Sequence, residues 1–192
     1  MTGLNPKIDT ILSIACFVTN ADLNVVDPNG FEAIIHHTRQ QLETMSEWCI
    51  HTHGASGLTV ACMASNTTAI DATEALVEYV EKWVGEASRA SQGSTGRAIL
   101  AGNSVHVDKL FLLEPPWNKV LQCPVFGYRI LDVSAIKEGA RRWCEEEVLR
   151  NAPRKAEKHT AKEDILESIE EARWYKRLFE RLGRRDGELE DK

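Results

Sequence analysis

Apolar positions follow two rhythms along the first half of this chain. The runs "DTILSIACFV", "VV" and "FEAIIHH" are rich in β-branched and aromatic residues and are separated by turn formers such as "TNADLN", a pattern that predicts a meander of about three strands. From Arg39 onward, Leu42, Met45 and Trp48 keep helical spacing as far as "HTHGASG", whose glycines and small residues predict a loop. The segment "AIDATEALVEYVEKWVG" sets Leu76, Val77, Val80, Trp83 and Val84 on one face. With Asp71 and Glu74 placed as a cap and its reciprocal partner, it predicts an amphipathic helix.

The second half alternates. "QGSTG" predicts a loop, "RAILAG" a short buried strand, and "VDKLFLL" a helix that stops before Pro115 and Pro116. "YRILDV" predicts another strand, followed by a helix from Ser134 to about Leu149. A polar linker, "NAPRKAEKHT", leads to a T-x-x-E capping box at Thr160 and Glu163. The long helix that starts there ends near Gly183, before a charged tail. Strands first, then strands alternating with helices, predict a mixed α/β layer fold.

Composition narrows the class. At 192 residues the chain fills one domain. Hydrophobic residues at 43% and charged residues at 27% are the mixture of a globular protein. The net charge of −6 withholds the basic field that long nucleic acid requires. Five scattered cysteines without a C-x-x-C pair argue against a disulfide framework or zinc knuckle and for a reducing compartment. Neither a signal peptide nor a membrane span is predicted.

Two stretches carry chemistry. In "AGNSVHVDKLF", Asp108 stands among Val105, Val107, Leu110 and Phe111, where an unpaired charge is expensive to bury. In "KHTAKEDILES", His159 and Asp164 flank a positive helix end that favours anions. Each alone reads more readily as an ordinary helix start. The histidine pairs His36 with His37 and His51 with His53 lack an acid or cysteine at zinc-ligand spacing.

Together with "MTGLNPKIDTILSIA", "MSEWCIHTHGASGL", "YRILDVSAIKE" and "HTAKEDILESIEE", the Asp108 stretch resembles the oligoribonuclease family, from Met1 to about Phe179. These are DEDD-type 3′-to-5′ exonucleases of the DEDDh branch. The resemblance implies a ribonuclease H-like mixed β-sheet flanked by helices and lacking most of the first strand, with an exonuclease domain at 1–182 and a charged tail at 183–192. It implies hydrolysis of short RNA, dinucleotides to about five residues, to 5′-mononucleotides.

In that family pattern Asp108 and Asp164 help hold two divalent ions, Mg²⁺ or Mn²⁺, with His159 as general base. Leu4 and Trp48 match the groups that wedge and stack the terminal bases. Ser104, Tyr128, Arg129 and Ser134 match the polar surround of the 5′-phosphate, Tyr128 also counting among the catalytic positions. Tyr128 and Arg129 are expected to act across a homodimer interface.

The family's D-x-E motif would fall immediately before Met1, so the chain is expected to be either truncated and impaired or an inactive homologue that binds dinucleotides or serves as an interaction subunit. Ser13, Gly127, Thr160 and Lys162 depart from the family pattern, Lys162 as a cation near the metal site that could instead touch substrate phosphate. The expected location is cytoplasmic, or mitochondrial given an upstream extension.

Overall fold

A computed structural model describes residues 1–90, 97–153 and 160–187, without side-chain detail at 88–90 and 182–187. The loop expected at "QGSTG" and most of the 151–160 linker lie outside it. Strand β1 (Ser13–Cys16) pairs antiparallel with β2 (Phe31–Ile34), Ser13 opposite Ile34 and Cys16 opposite Phe31. The expected middle strand shrinks to one bridge, Thr19 to Val25. Asn20 explains why: its Oδ1 accepts the N–H groups of Asp22 and Asn24 at 3.0 and 2.9 Å. The backbone is thereby committed to a turn instead of a ladder.

The single helix predicted from Arg39 is divided. Thr38 and Gln41 form a capping box that opens α1 (Arg39–Leu42), and Ser46 then accepts the Cys49 N–H to open α2 (Glu47–Ala55). Most of the stretch predicted as loop, including His51 and His53, is helical in α2. Gly57, at φ 78°, starts α3 (Leu58–Ala64). Helix α4 (Ala69–Ala90) forms as expected, but its cap is Thr68. The Thr68 hydroxyl accepts the Asp71 N–H and the Asp71 carboxylate accepts the Thr68 N–H, each at 3.1 Å. Glu74 instead meets Lys119 at 3.2 Å.

Strand β3 (Ala98–Gly102) runs parallel to β4 (Phe126–Asp132), with Leu100 opposite Ile130 and Gly102 opposite Asp132. The crossover holds α5 (Val105–Leu112) and the unpredicted α6 (Asn118–Gln122). After β4 come α7 (Val133–Trp143) and α8 (Glu146–Leu149), split where Cys144 turns extended, and α9 (Ala161–Gly187), which runs beyond the predicted end at Gly183. The class is the expected mixed α/β arrangement, small sheets flanked by helices. Among the described residues the strands form two two-stranded sheets.

Apolar faces close these layers together. Ile11, Ile35, Ala72, Phe111, Leu112 and Trp117 join the first sheet to α4, α5 and the turn before α6. Leu12, with no exposed surface, packs with Leu42, Met45, Cys49 and Cys62. Val133 and Ala140 of α7 meet Ala172, Tyr175 and Leu178 of α9. Helix α9 is also bound to the turn between β1 and β2. Arg173 donates to the Leu23 carbonyl through Nε at 3.1 Å and Nη2 at 2.6 Å, Lys162 donates to the Asn29 carbonyl at 3.0 Å, and Lys176 pairs with Asp22 at 3.0 Å. Lys162 thus serves the fold through a backbone oxygen. No helix among the described residues is long and apolar enough to cross a membrane.

Replacing Leu12 by alanine leaves a cavity under both α1 and α3. We expect Leu12→Ala to lower unfolding stability by about 3 kcal/mol, measured by denaturant titration; a loss below about 1 kcal/mol would show that the neighbouring helices collapse into the space.

Candidate functional site

Strands β3 and β4 end level with each other, at Gly102 and Asp132, and the polar groups gather beyond those carboxyl ends, where parallel sheets place ligands. Asp132 caps α7: its Oδ1 accepts the N–H groups of Ser134 and Ala135 at 3.0 and 3.4 Å. The same oxygen accepts the Ser104 N–H at 3.0 Å, and Oδ2 accepts His106 Nδ1–H at 2.7 Å. Burial alone would raise the Asp132 pKa; the His106 hydrogen bond and the three backbone N–H groups overcome it and hold the carboxyl below its ordinary value.

Ser104 occupies the left-handed region, at φ 53°, a strained place for a non-glycine residue that costs roughly 1–3 kcal/mol. Its N–H also donates to Ser134 Oγ at 3.0 Å, and its hydroxyl donates to the same oxygen at 3.3 Å. The predicted pair Ser104 and Ser134 is therefore brought together. The His106–Asp132 dyad resembles half of a nucleophilic triad, but Ser104 bonds Ser134 rather than the imidazole, so this contact does not activate the hydroxyl as a nucleophile.

Asp108 lies in the first turn of α5. It is not sunk among its apolar neighbours: Val105 and Phe111 face the core, while Asp108 keeps solvent contact. Surrounding atoms still desolvate the carboxyl enough to raise its pKa, against the lowering pull of its own backbone N–H, the Met1 ammonium and His106. Met1 is tied to α2 by His53, whose Nε2–H donates to the Met1 carbonyl at 3.0 Å. From that corner Leu4 and, on α2, Trp48 project with 78% and 69% of their surface exposed. Helical spacing alone would have placed Trp48 in the core. Tyr128 is 75% exposed on β4 and carries the Arg129 guanidinium over its ring at 4.7 Å.

Thr160 opens α9 as predicted. Its hydroxyl accepts the Glu163 N–H at 3.3 Å and donates to Glu163 Oε2 at 2.9 Å. Asp164 is half-buried in the first turn. His159 lies outside the described residues. A buried bridge links the turn before α5 to α9: Asn103 Nδ2 donates to Glu171 Oε2 at 3.1 Å, and Lys137 Nζ meets Glu171 Oε1 at 2.8 Å. The helix that carries Asp108 is thus tethered, through the turn that opens it, to the helix that carries Asp164.

Carboxylate oxygens suit a hard divalent cation, and a cation beside Asp108 would offset its desolvation. Among the described residues, however, no group of three or more His, Cys, Asp or Glu side chains is gathered for a metal. The family pattern's ligands on this chain, Asp108 and Asp164, are two carboxylates. His36 and His37 are otherwise engaged: His36 Nδ1 with the Ser65 carbonyl at 2.7 Å, and His37 with the Ile35 carbonyl at 3.1 Å and Thr10 Oγ1 at 2.9 Å.

Sequence reasoning missed His106, Asp132, Asn103, Lys137 and Glu171. An Asp directly before a helix in "LDVSA" signals the cap. A lone acid within an amphipathic helix gives no sign of its partner.

The exonuclease family (RNase_T) matches residues 1–172. An oligoribonuclease of Arabidopsis thaliana is 40% identical over 181 residues, covering 93% of this chain and 74% of its own length. A mitochondrial oligoribonuclease of Saccharomyces cerevisiae is 39% identical, covering 91% and 63%. An oligoribonuclease of Pseudoalteromonas translucida is 40% identical, covering 93% and 91%.

Because the Asp132 pKa is depressed, the stability it lends is present above the ordinary carboxylate value near 4 and lost as pH falls through its lower folded value. We expect Asp132→Asn to be about 0.5 kcal/mol less stable than the parent at pH 7 through loss of the charge at the α7 start, with the difference shrinking below about pH 4. Melting curves at pH 3 and pH 7 that show the same gap would exclude this electrostatic share.

Proposed function

The chain belongs to the oligoribonuclease family of exonucleases, and we propose that it degrades short oligoribonucleotides, dinucleotides to about five residues, from the 3′ end to 5′-mononucleotides. The observation that carries this reading is the corner formed by Met1, α2 and α5. Leu4 and Trp48 are exposed apolar groups on the chain start and on α2, and His53 ties Met1 to α2. The Asp108 carboxyl of α5 lies close enough to the Met1 ammonium to feel its charge while desolvation raises its pKa. Flat apolar surfaces beside a cation-binding carboxylate suit unpaired bases next to a scissile phosphate.

In this proposal Trp48 and Leu4 stack and wedge the terminal bases, which requires no particular sequence. Ser104, Ser134, Arg129 and Tyr128 hold the 5′-phosphate, and closing that end selects short RNA. The acidic net charge of −6 fits the same preference, since no extended basic track follows a long backbone. His159 accepts the proton of the attacking water.

Asp108 and Asp164 hold divalent ions, two Mg²⁺ or Mn²⁺, together with a D-x-E pair where one precedes Met1. The chemistry those ions supply is neutralisation of charge at the phosphodiester and acidification of water. A homodimer delivers Tyr128 and Arg129 from the partner. The exposure of Tyr128 and Ile130, which share one face of β4, supports a face that a second copy covers. Residues 1–182 form the exonuclease domain and 183–192 its tail, in cytoplasm or mitochondria.

A second reading, dinucleotide binding without turnover, is favoured by one observation: fewer than three metal-donor side chains gather among the described residues. Adding "W-I-D-x-E" ahead of Met1 separates the two. With Mn²⁺ and a 5′-phosphorylated dinucleotide, we expect the extended chain to turn over, and Asp164→Ala to abolish that turnover. Tight binding with no turnover in either form would establish the second reading. We also expect Trp48→Ala to weaken dinucleotide binding by about 1–3 kcal/mol in titration calorimetry; unchanged affinity would remove Trp48 from the stacking role.

A further inference from the structure

The turn at Asn103 and Ser104 decides where α5 points, and α5 has no side-chain cap of its own. A short helix entered through a left-handed serine is held from outside or not at all. One hold is the Ser104 N–H on Asp132 and Ser134. The other comes from below, where Asn103 Nδ2 donates to Glu171.

Glu171 is 3% exposed, an expensive setting for a charge. Lys137 of α7 answers it at 2.8 Å through Oε1, which leaves Oε2 to accept from Asn103. Three elements meet here: the end of β3, α7 and α9. Glu171 also stands seven residues after Asp164, two helical turns along the same face and roughly 10 Å away.

We propose that Glu171, with its charge balanced by Lys137, is a positioning residue for the nuclease site: it fixes Asn103 and so the placement of Ser104 and Asp108 relative to α9. This rests on the reading of Ser104 as part of the 5′-phosphate surround. The ion pair offsets the burial of the carboxylate, and the Asn103 hydrogen bond transmits the position.

The test must separate positioning from folding, because removing either charge alone leaves the other buried and unpaired. Two double variants of the full chain remove both charges. Glu171→Gln with Lys137→Met keeps an oxygen that accepts from Asn103, whereas Glu171→Leu with Lys137→Met does not. Binding of 5′-phosphorylated and 5′-hydroxyl diadenylate is measured by calorimetry, alongside thermal melting.

Both variants should melt within about 5 °C of the parent. The Gln form should bind the phosphorylated dinucleotide as the parent does, and the Leu form about tenfold more weakly, with 5′-hydroxyl binding unchanged in both. Equal affinities in the two variants would overturn the positioning role while leaving the pocket intact, as would a melting loss that tracks the weaker binding. A parent chain that shows no preference for the 5′-phosphate would overturn the pocket itself and the proposal with it.

Discussion

Where two parallel strands end together, four polar groups must find partners within a few ångströms, and one carboxylate serves all of them. Asp132 accepts the N–H groups of Ser104, Ser134 and Ala135 and the imidazole N–H of His106. Without it the start of α7 would leave its backbone donors unmet, since that helix brings no second cap, and Ser104 would keep only its bond to Ser134. The groups assigned to substrate, Ser104 and Ser134 on one side and Asp108 on the other, stand within one turn of that point. Their positions follow from satisfying hydrogen bonds at the sheet's end before any ligand arrives.

The chemistry assigned to the family needs more negative charge than two described carboxylates provide. On this chain Asp108 has its pKa raised by desolvation while keeping contact with water. Three cations of α9, Lys162, Arg173 and Lys176, are spent on carbonyls and an acid of the β1–β2 turn. Those positive groups hold the fold.

Much of this was legible in the sequence because it is local. The α4 periodicity and the Thr160–Glu163 box are written within a few residues, and both appear as read. Boundaries failed where a polar side chain competes with a periodic pattern. Ser46 restarts a helix that apolar spacing would continue, Asn20 turns a strand into a loop, and Thr68 outranks Asp71 as cap. The pattern also misjudged Trp48, which has the spacing of a core residue but breaks from the stripe once α1 and α2 separate. Glu171 could not have been found, because its meaning lies in Asn103 and Lys137, which reach it only through the packing of three elements.

The lacing of α9 to the first turn has a further consequence for how the molecule comes into being. Leu23 waits for Arg173 across 150 positions and Asn29 for Lys162 across 133. During synthesis the hairpin at the front of the protein emerges long before the helix that seals it, so its carbonyls and edge stay open until the last segment leaves the ribosome. Such distant closure slows folding and lengthens exposure to chaperones or to other nascent chains.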